Sequence, residues 1–263
     1  NYSCAYFYEK NATLQEAQLA KKRHIASKLY LKPDLNVLDI GCGWGAMAIY
    51  IAEEFGCNVT GITLSEEQCL LARQRVLDKG LSDKVKIEIM DYRDVTQKFD
   101  RVVSIGMFEH VGLTHYLEFF KTIKYILTDD GCALLHSIGR KGGAGPTAAW
   151  IRKYIFPGGY APALSETFSE IEKSGLWVTD CEILRLHYAE TLLEWDKRFQ
   201  ANRESVAELF DERFCRMWEF YLIISEFSFR YGKLMNFQIQ LAKNVHSLPI
   251  TRDYIQQSEL SHT

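Results

Sequence analysis

The segment VLDIGCGWG at residues 37–45 decides the fold of this chain. An apolar run ends there in a glycine-rich turn, and the turn leads into residues 47–52, which have an apolar, helical pattern. Glycine lets a chain turn tightly and lets the backbone approach a ligand that a Cβ atom would push away. The segment therefore predicts a strand, a glycine loop and a helix in the order found in nucleotide-binding α/β folds.

The spacing of the glycines narrows the choice of cofactor. Gly41, Gly43 and Gly45 alternate as G-x-G-x-G, whereas the dinucleotide fingerprint is G-x-G-x-x-G. Asp39 stands on the predicted strand just before this loop. An acidic strand residue followed by such a loop is typical of S-adenosylmethionine (SAM) methyltransferases, although a glycine loop alone is weak evidence for any one cofactor.

Strand and helix patterns alternate through the first half of the chain. Capping boxes at 13–16 and 65–68 predict the starts of two helices. Strands are predicted at 36–40, 58–62, 85–90, 100–106 and 132–138, with helices at 13–31, 45–55, 65–80 and 115–126. This alternation predicts an α/β fold with a mostly parallel sheet and helices on both faces.

The second half changes character, and three units follow from it. Residues 1–138 form the predicted α/β core with an N-terminal motif segment. Residues 139–231 contain a glycine-rich loop at 139–160, a helix at 165–174, a core strand near 176–187 and an aromatic helical cap from 190 onward. Residues 232–263 contribute a closing strand and a tail.

Bulk properties exclude several classes of protein. The formal net charge is −3, so nucleic-acid binding by bulk charge is not expected. No apolar run approaches membrane-spanning length, and no signal peptide opens the sequence. Seven cysteines without C-x-x-C pairs favour a reducing, cytoplasmic compartment and no structural metal. Because a dense motif begins at Tyr2, we expect the natural chain to extend further at its N-terminus.

Five motifs in order carry a family resemblance. They are NYSCAYF at 1–7, VLDIGCGWG at 37–45, GITLSEEQ at 61–68, SIGMFEHVG at 104–112 and YIFPGG at 154–159. Together they resemble the catalytic domain of cyclopropane-fatty-acyl-phospholipid synthases over residues 1 to about 245. The mycolic-acid cyclopropane synthases are close relatives, and plant-type alkaloid N-methyltransferases are more distant. The resemblance implies a Rossmann-like SAM-dependent methyltransferase fold with a helical lipid-binding cap.

The cofactor site is predicted partly from the residues themselves. The three loop glycines would pass under the methionine part of SAM. Thr63 stands where many nucleotide-binding folds place a ribose-binding carboxylate, so that partner must lie elsewhere; the resemblance offers Gln68, whose alternative role is to complete the capping box of Ser65. In full, the resemblance implies cofactor contacts from Tyr2, Ser3, Val37, Asp39, Gly41, Gly43, Trp44, Gly45, Thr63, Leu64, Gln68, Tyr92 and Arg93.

Two polar residues in apolar company are the catalytic candidates. Glu109 follows the predicted strand at 100–106, and His136 lies near the carboxyl end of the next strand. A lone His in a strand is more often a core residue with satisfied hydrogen bonds, but a buried carboxylate nearby needs a partner. The resemblance places both residues around a bound bicarbonate, together with the Tyr188 side chain and backbone groups of Cys4 and Ile138.

The chemistry explains why such a site is needed. Methyl transfer from SAM to an alkene leaves a carbocation, which must be stabilised and then lose a proton so that the ring can close. A bicarbonate ion in a dry pocket serves as counter-charge and general base. Aromatic faces can add cation–π stabilisation, with Tyr6, Phe7, Phe108 and Tyr188 as candidates. Cys4 is not expected to be a nucleophile, because SAM chemistry needs no covalent enzyme intermediate.

The resulting expectation is a cytoplasmic enzyme that docks transiently on the membrane surface. It would transfer a methylene group from SAM to the cis double bond of unsaturated phospholipid acyl chains. The alternatives are methylation of an acyl chain or an amine without ring closure, and a SAM- or lipid-binding module without catalysis. We expect the acyl channel at the loop 139–160 and the helices from 190 to 231, where a core stripe is the competing explanation. The oligomeric state is left open, with a homodimer as one alternative.

Overall fold

The computed structural model describes residues 2–262, so Asn1 and Thr263, the ends of the predicted first and last units, lie outside the described residues. The strands are β1 (Asn36–Ile40), β2 (Asn58–Thr63), β3 (Val85–Ile89), β4 (Phe99–Ile105), β5 (Leu127–Arg140), β6 (Trp177–Ile183) and β7 (Leu234–Ala242). The α-helices are α1 (Leu14–Lys28), α2 (Ala46–Phe55), α3 (Glu66–Asp78), α4 (Tyr116–Ile126), α5 (Ala149–Tyr154), α6 (Leu164–Ser174), α7 (His187–Ala201), α8 (Arg203–Leu209), α9 (Glu212–Arg230) and α10 (Asp253–Ser261).

The seven strands found within residues 2–262 form one sheet in the order β3-β2-β1-β4-β5-β7-β6. Strands β1 to β5 pair in parallel, and β7 is antiparallel to both β5 and β6. The predicted α/β class with a mostly parallel sheet is confirmed. The strand order reverses between β1 and β4, and ligands of open α/β sheets bind at the carboxyl ends of strands beside such a reversal.

Hydrophobic layers cover both faces of the sheet. On one face, Met47, Tyr50 and Ile51 of α2 pack with α1 and α3 against the strands. On the other, Phe119 and Phe120 of α4 pack with α6. A third apolar cluster joins α7 and α9 to each other and to the N-terminal segment. The carboxyl ends of β1, β4 and β5 are therefore enclosed by the cap on one side and by α1 on another.

Helix α1 is unusual because three of the side chains that it buries can carry a positive charge. It begins after the predicted capping box, in which Thr13 Oγ1 accepts from the Glu16 N–H at 3.3 Å and the Glu16 carboxylate accepts from the Thr13 N–H at 2.7 Å. Lys21, His24 and Lys28 follow at helical spacing, and each is at most 5% exposed. Buried charges require partners, so these three side chains predict a polar network between α1 and the sheet.

The second half corrects several predicted boundaries. The strand predicted near 176–187 ends at Ile183, because Arg185 adopts a φ of +40° and turns the chain into α7. The predicted helical stretch is three helices, and Asp211 separates the last two by accepting from the Phe214 N–H at 2.6 Å as the N-cap of α9. Helix α10 was not predicted. The division into three units stays a prediction.

Within residues 2–262, no helix is both long and apolar enough to cross a membrane. The strand predicted to close the fold, β7, lies inside the sheet between β5 and β6. It thereby brings its side chains under α1 and beside the candidate site.

Candidate active site

One cavity of about 520 Å³ opens at the carboxyl ends of β1, β4 and β5. Its wall includes the glycine loop, the loop 139–160 and residues of α7 and α9. Of the predicted site residues, the cavity is lined by Tyr2, Ser3, Cys4, Asp39, Gly41, Gly43, Trp44, Glu109, His136, Ile138 and Tyr188. The structure therefore brings the predicted cofactor loop and the predicted anion site into one space.

The glycine loop is held close to its neighbours. Gly41, Gly43 and Gly45 have φ values of +76°, +55° and +78°, which other residues adopt only at a cost. A Cβ atom on Gly41 would lie 3.0 Å from Met107, and one on Gly43 would lie 3.4 Å from the Tyr2 hydroxyl. The loop therefore has no side chains at these positions, as the predicted close approach of a cofactor to its backbone requires.

Tyr2 of the N-terminal segment lies over Gly43 of this loop and is hydrogen-bonded to α3. Gln68 Nε2 donates to the Tyr2 hydroxyl at 3.1 Å, and the Thr63 hydroxyl donates to Gln68 Oε1 at 2.9 Å. Ser65 caps α3 by accepting from the Gln68 N–H at 3.2 Å. The reciprocal half of that predicted capping box is absent among the described residues, because the Gln68 side chain turns toward Tyr2 and Thr63. This side chain is available to the site.

Lys21 and Asp39 add a buried pair of opposite charges to the cavity wall. Lys21 Nζ donates to the Ser3 hydroxyl at 2.9 Å, and burial lowers its pKa to about 8. Burial also raises the pKa of Asp39 to about 7, although Lys21 opposes that rise. Asp39 Oδ2 is buried without a hydrogen-bond partner among residues 2–262. A ligand that carries both an ammonium and a carboxylate would satisfy these groups, and the methionine end of SAM is such a ligand.

Glu109 is placed by a short 3-10 turn after β4 and is held from two sides. Its Oε1 accepts from the backbone N–H of Ile138 on β5 at 2.7 Å, and its own carbonyl accepts from the Tyr160 N–H at 2.9 Å. Oε2 is buried without a partner among the described residues. Burial raises the pKa of Glu109 to about 7, although the bond from Ile138 opposes that rise. The carboxyl group can therefore gain or lose a proton near neutral pH.

His136 lies opposite two amide side chains on β7. Gln238 Nε2 is 3.1 Å from His136 Nδ1, and Asn236 Nδ2 is 3.4 Å from His136 Nε2. Burial, followed by the positive charges of Lys21 and Lys28, holds the pKa of His136 well below its ordinary value. The imidazole is therefore neutral at physiological pH, and it both lines the cavity and has hydrogen-bonded neighbours in the core.

Tyr188 and Cys4 complete the predicted anion site. Burial holds the pKa of the Tyr188 hydroxyl well above its ordinary value, so the phenol stays protonated and can donate. Burial likewise raises the pKa of the Cys4 thiol. A thiol that stays protonated is a poor nucleophile, which agrees with the expectation that Cys4 is not one. The N–H of Ile138, assigned by resemblance to the anion, is bonded to Glu109 in this structure.

Several predicted residues lie outside the cavity wall. Val37 has no exposed surface and packs in the core at the start of β1, and its cofactor contact stays a prediction. Gly45 packs against α3, where a Cβ would lie 3.1 Å from Ala72. Thr63 and Gln68 connect to the cavity through Tyr2. Three other residues predicted for the ribose and adenine end lie after β2 and β3 at the same sheet edge, and their contacts stay predictions: Leu64, Tyr92 and Arg93.

Three of the four aromatic candidates for cation–π contacts do not line the cavity. Tyr6 is stacked between His24 and His187, at centroid distances of 4.2 and 4.6 Å. Phe108 is fully buried among the aromatic residues of α4, and Phe7 packs near α1. These three side chains pack against neighbouring elements and are absent from the cavity wall. Tyr188 alone of the four remains on its wall.

The cap side of the cavity is largely apolar. We expected residues at helical spacing between 210 and 225 to line the acyl channel. Of these, Tyr221 and Ser225 of α9 line the cavity, whereas Leu222 belongs to the core and Phe210, which precedes α9, is exposed. The loop 139–160 lines it as predicted, although the loop contains α5. Further apolar residues of this wall are Ile151, Phe156, Leu192, Ile224, Phe229 and Leu234.

Sequence reasoning missed two polar residues of the cavity wall, Lys21 and Asn236, and two that lie behind His136, Lys28 and Gln238. Lysine is expected at the surface, so its presence on α1 gave no signal. The polar positions of β7 alternate with apolar ones, which is the pattern of a strand with one solvated face. The available signal was the spacing of Lys21, His24 and Lys28 on the same face as buried Ala17.

Comparisons with known proteins agree with this fold and site. A structure of the cyclopropane synthase MmaA2 from Mycobacterium tuberculosis aligns with a TM-score of 0.87 and 31% identity, over 92% of this chain and 90% of that one. A structure of mycolic acid cyclopropane synthase CmaA1, complexed with SAH and CTAB, aligns with a TM-score of 0.86 and 34% identity, over 92% and 89% of the two chains. The fold and the site define a SAM-dependent methyltransferase.

The family follows from the sequence comparisons. The mycolic acid cyclopropane synthetase family model matches residues 1–239, and the chain belongs to this family. It is 39% identical to the cyclopropane-fatty-acyl-phospholipid synthase of Escherichia coli K12 over 94% of this chain, and 41% identical over 96% to a Pseudomonas putida protein named "Probable fatty acid methyltransferase". The chain spans 63% and 67% of the lengths of these two relatives.

Proposed function

We propose that this protein transfers a methylene group from SAM to the cis double bond of unsaturated acyl chains in membrane phospholipids. Bicarbonate is the proposed general base. The observation that carries this proposal is the Glu109 carboxyl group on the cavity wall. One oxygen is held by Ile138, the other has no partner among the described residues, and the pKa is about 7.

The residues of the cavity divide into parts that suit this reaction. When bound, SAM supplies an electrophilic methyl group; Tyr2, Ser3, Asp39, Lys21 and the glycine loop are the proposed residues that hold it. When bound, bicarbonate supplies a small basic anion. His136 and Tyr188 orient it as hydrogen-bond donors, and Glu109 accepts a proton from it and passes that proton toward solvent. The Tyr188 ring also stabilises positive charge on the acyl chain.

The cap supports an acyl substrate. Apolar side chains from α5, α7 and α9 line the cavity beyond Tyr188, so an alkyl chain there would displace water. Exclusion of water matters because water would trap a carbocation as an alcohol. The Tyr160 N–H bonds to the backbone carbonyl of Glu109 and so joins the loop 139–160 to the turn that carries this residue.

An exposed apolar stripe on the cap supports docking at a phospholipid surface. Phe220, Ile223 and Phe227 share one face of α9, and Tyr231 continues it; each is at least 47% exposed. Ile224, Ser225 and Ser228 of the same helix line the cavity, so the stripe lies beside its mouth. Lys141 and Lys233 also line the cavity at this side and suit anionic headgroups.

Basic residues on the cap helices are weaker candidates for contact with lipid phosphates, because acidic neighbours pair with them. Arg203 pairs with Glu212 and Glu219 at 2.7 and 2.6 Å, and Lys197 pairs with Glu194 at 2.6 Å. These charges are already compensated within the cap. Vesicle binding should therefore depend on the stripe. We expect the double variant Ile223→Ser/Phe227→Ser to lose co-sedimentation with anionic phospholipid vesicles, while Trp177→Ser, exposed on β6, keeps it.

Light scattering separates docking from the alternative that the stripe joins two copies of this chain. If Ile223→Ser/Phe227→Ser turns a homodimer into a monomer and leaves vesicle binding unchanged, the stripe is a dimer contact and the docking proposal is wrong.

A second candidate is methylation of an acyl chain without ring closure. The names of two relatives favour it: the Pseudomonas putida protein and the Mycobacterium tuberculosis protein "Tuberculostearic acid methyltransferase UfaA1", which is 38% identical over 92% of this chain. In both reactions the substrate gains a methyl group and loses a proton, so a ring and a methylene branch have the same mass. In both reactions the proton leaves the transferred methyl group, but a methylene branch first requires a hydride shift from the methylated carbon to the neighbouring carbocation.

The test is an assay with SAM and vesicles of cis-unsaturated phospholipid, followed by mass spectrometry and proton NMR of the acyl chains. Ring closure gives a gain of CH2 with cyclopropane proton signals. A methylene branch gives the same gain with olefinic signals, and an amine substrate would leave the acyl chains unchanged. Absence of any methylated product with intact SAM binding would contradict an enzymatic function on lipids.

A further inference from the structure

A chain of buried polar side chains runs from His136 to the C-terminal helix. Gln238 contacts His136, and Lys28 Nζ donates to Gln238 Oε1 at 2.7 Å. Lys28 also donates to Glu182, whose Oε2 is 2.6 Å from His24 Nε2. The other ring nitrogen of His24 contacts Glu259 of α10. The chain ties α1, β6, β7 and α10 to one imidazole of the candidate active site.

Lys28 determines which way the Gln238 amide points. A lysine ammonium is a donor with no acceptor capacity, so the group that faces it must be the amide oxygen. The amide nitrogen of Gln238 must then face His136 Nδ1. Lys28, Gln238 and His136 are each at most 1% exposed, so water cannot replace the contact of Gln238 with Lys28 or with His136.

The Gln238 orientation decides the tautomer of His136. Because Gln238 Nε2 donates, His136 Nδ1 must be the acceptor, and a neutral imidazole then has its proton on Nε2. Asn236 also faces Nε2 with its amide nitrogen, at a long 3.4 Å, and its Oδ1 is buried without a partner within residues 2–262. A half-turn of the Asn236 amide would satisfy that oxygen with the Nε2–H group.

We propose that Lys28 and Gln238 are positioning residues that hold His136 as the Nε2–H tautomer, which makes it a hydrogen-bond donor to the anion in the cavity. The proposal rests on the proposed function for the identity of that anion. In this arrangement His136 cannot act as the proton acceptor through Nε2. A carboxylate-like anion is a stronger acceptor than the Asn236 amide at 3.4 Å, so Nε2–H turns to it on binding.

The charges around His136 favour this neutral form. Lys21, Lys28 and, in its protonated form, His24 on α1 oppose protonation of the ring, whereas Glu182 on β6 favours it. The same positive groups attract an anion to the cavity side of the ring. The network therefore separates two tasks: His136 binds the anion, and Glu109 takes up the proton.

The tautomer can be read directly by NMR in the intact chain with 15N-labelled histidine. The two ring nitrogens of a neutral imidazole have well-separated 15N shifts, and His136→Ala assigns the signals. We expect the Nε2–H pattern from about pH 6 to 8. An Nδ1–H or imidazolium pattern in the unmodified protein overturns the proposal, whatever happens in the variants.

Variants test the cause of the tautomer. Gln238→Glu presents only acceptors, so His136 should change to the Nδ1–H or imidazolium pattern. Lys28→Met should let the Gln238 amide adopt either orientation and give a mixture of the two His136 tautomers. Lys28→Arg retains a donor and should keep the original pattern. An unchanged pattern in a folded Gln238→Glu or Lys28→Met protein contradicts the proposal. If one variant fails to fold, the other and the unmodified protein still decide.

Titration with bicarbonate separates this proposal from the proposed function. If bicarbonate shifts His136 Nε2, both are supported; the bicarbonate concentration for half-maximal activity should then rise about tenfold in Gln238→Glu, the effect of one lost hydrogen bond to a charged acceptor. If the Nε2–H pattern is present and bicarbonate does not shift it, the tautomer assignment stands and the bicarbonate assignment fails.

Discussion

The backbone N–H of Ile138 donates to Oε1 of Glu109 at 2.7 Å and so ties the turn after β4 to the neighbouring strand β5. The bond fixes one carboxylate oxygen and leaves Oε2 for a ligand or a proton. It also partly offsets the effect of burial on the pKa, which would otherwise be higher. A carboxyl group that is fixed in place and titrates near pH 7 is suited to proton transfer.

Glu109→Gln keeps the shape of the side chain and removes the proton acceptor. We expect turnover to fall by about 10²-fold or more with little change in SAM affinity. Because the carboxylate must be ionised, activity of the unmodified protein should decline as the pH falls through about 7, and bicarbonate-free buffer should reduce it until bicarbonate is added. Normal turnover in Glu109→Gln with no response to bicarbonate would exclude this route for the proton.

The same substitution should stabilise the protein at high pH. The pKa of Glu109 rises from 4.5 to about 7 on folding, so its contribution to stability is present below pH 4.5 and is lost as the pH rises through about 7. Since a tenfold change in proton affinity is about 1.4 kcal/mol, the loss is about 3 kcal/mol. The free energy of unfolding of Glu109→Gln, measured relative to that of the unmodified protein, should therefore increase by about this amount from pH 5 to pH 8. A constant difference across this range would contradict the prediction.

Lys21→Met removes the buried cation beside the glycine loop. If Lys21 faces the carboxylate of the cofactor's methionine end, affinity for S-adenosylhomocysteine should fall at least about tenfold, as for a charged hydrogen bond. The control ligand is 5′-methylthioadenosine, which lacks the amino acid end and should bind equally well to both proteins. Calorimetry measures both; an equal loss for the two ligands would indicate a general structural defect and no carboxylate contact.

Tyr2 and Gln68 should act as one unit in cofactor binding because their side chains are hydrogen-bonded at 3.1 Å. Gln68→Ala should weaken SAM binding by about 1 kcal/mol. Tyr2→Phe should add little once Gln68 is changed, so the double variant should be less than additive. Strict additivity would place the two residues in separate roles.

The sequence predicts best where structure is local. The β1 strand, the glycine loop and α2 begin and end within one residue of their predicted positions. Apolar runs and glycines determine the conformation of the residues next to them, so their effect can be predicted from the sequence. Glu109 and His136 were found because polar residues at strand ends are rare in apolar surroundings. Asn236 and Gln238 were not predicted. The alternating pattern correctly predicted the strand β7, but it suggested that the polar face is solvated, whereas α1 covers that face. Only the tertiary placement of β7 between β5 and β6 reveals that burial.

His24 should make the docking of α10 depend on pH. Burial lowers the pKa of this imidazole, but hydrogen bonds to Glu182 and Glu259 outweigh burial and raise it above 6.5. The stabilising contribution of His24 is therefore complete below pH 6.5 and is lost as the pH rises through the raised value. Hydrogen exchange should show weaker protection of peptide 253–261 above this pH, relative to a peptide from β4 that corrects for intrinsic exchange. Glu259→Gln should weaken protection at low pH and flatten the dependence. If the relative protection of α10 is constant with pH, the contact with His24 does not stabilise its docking. The same conclusion follows if the protection depends on pH equally in Glu259→Gln and in the unmodified protein.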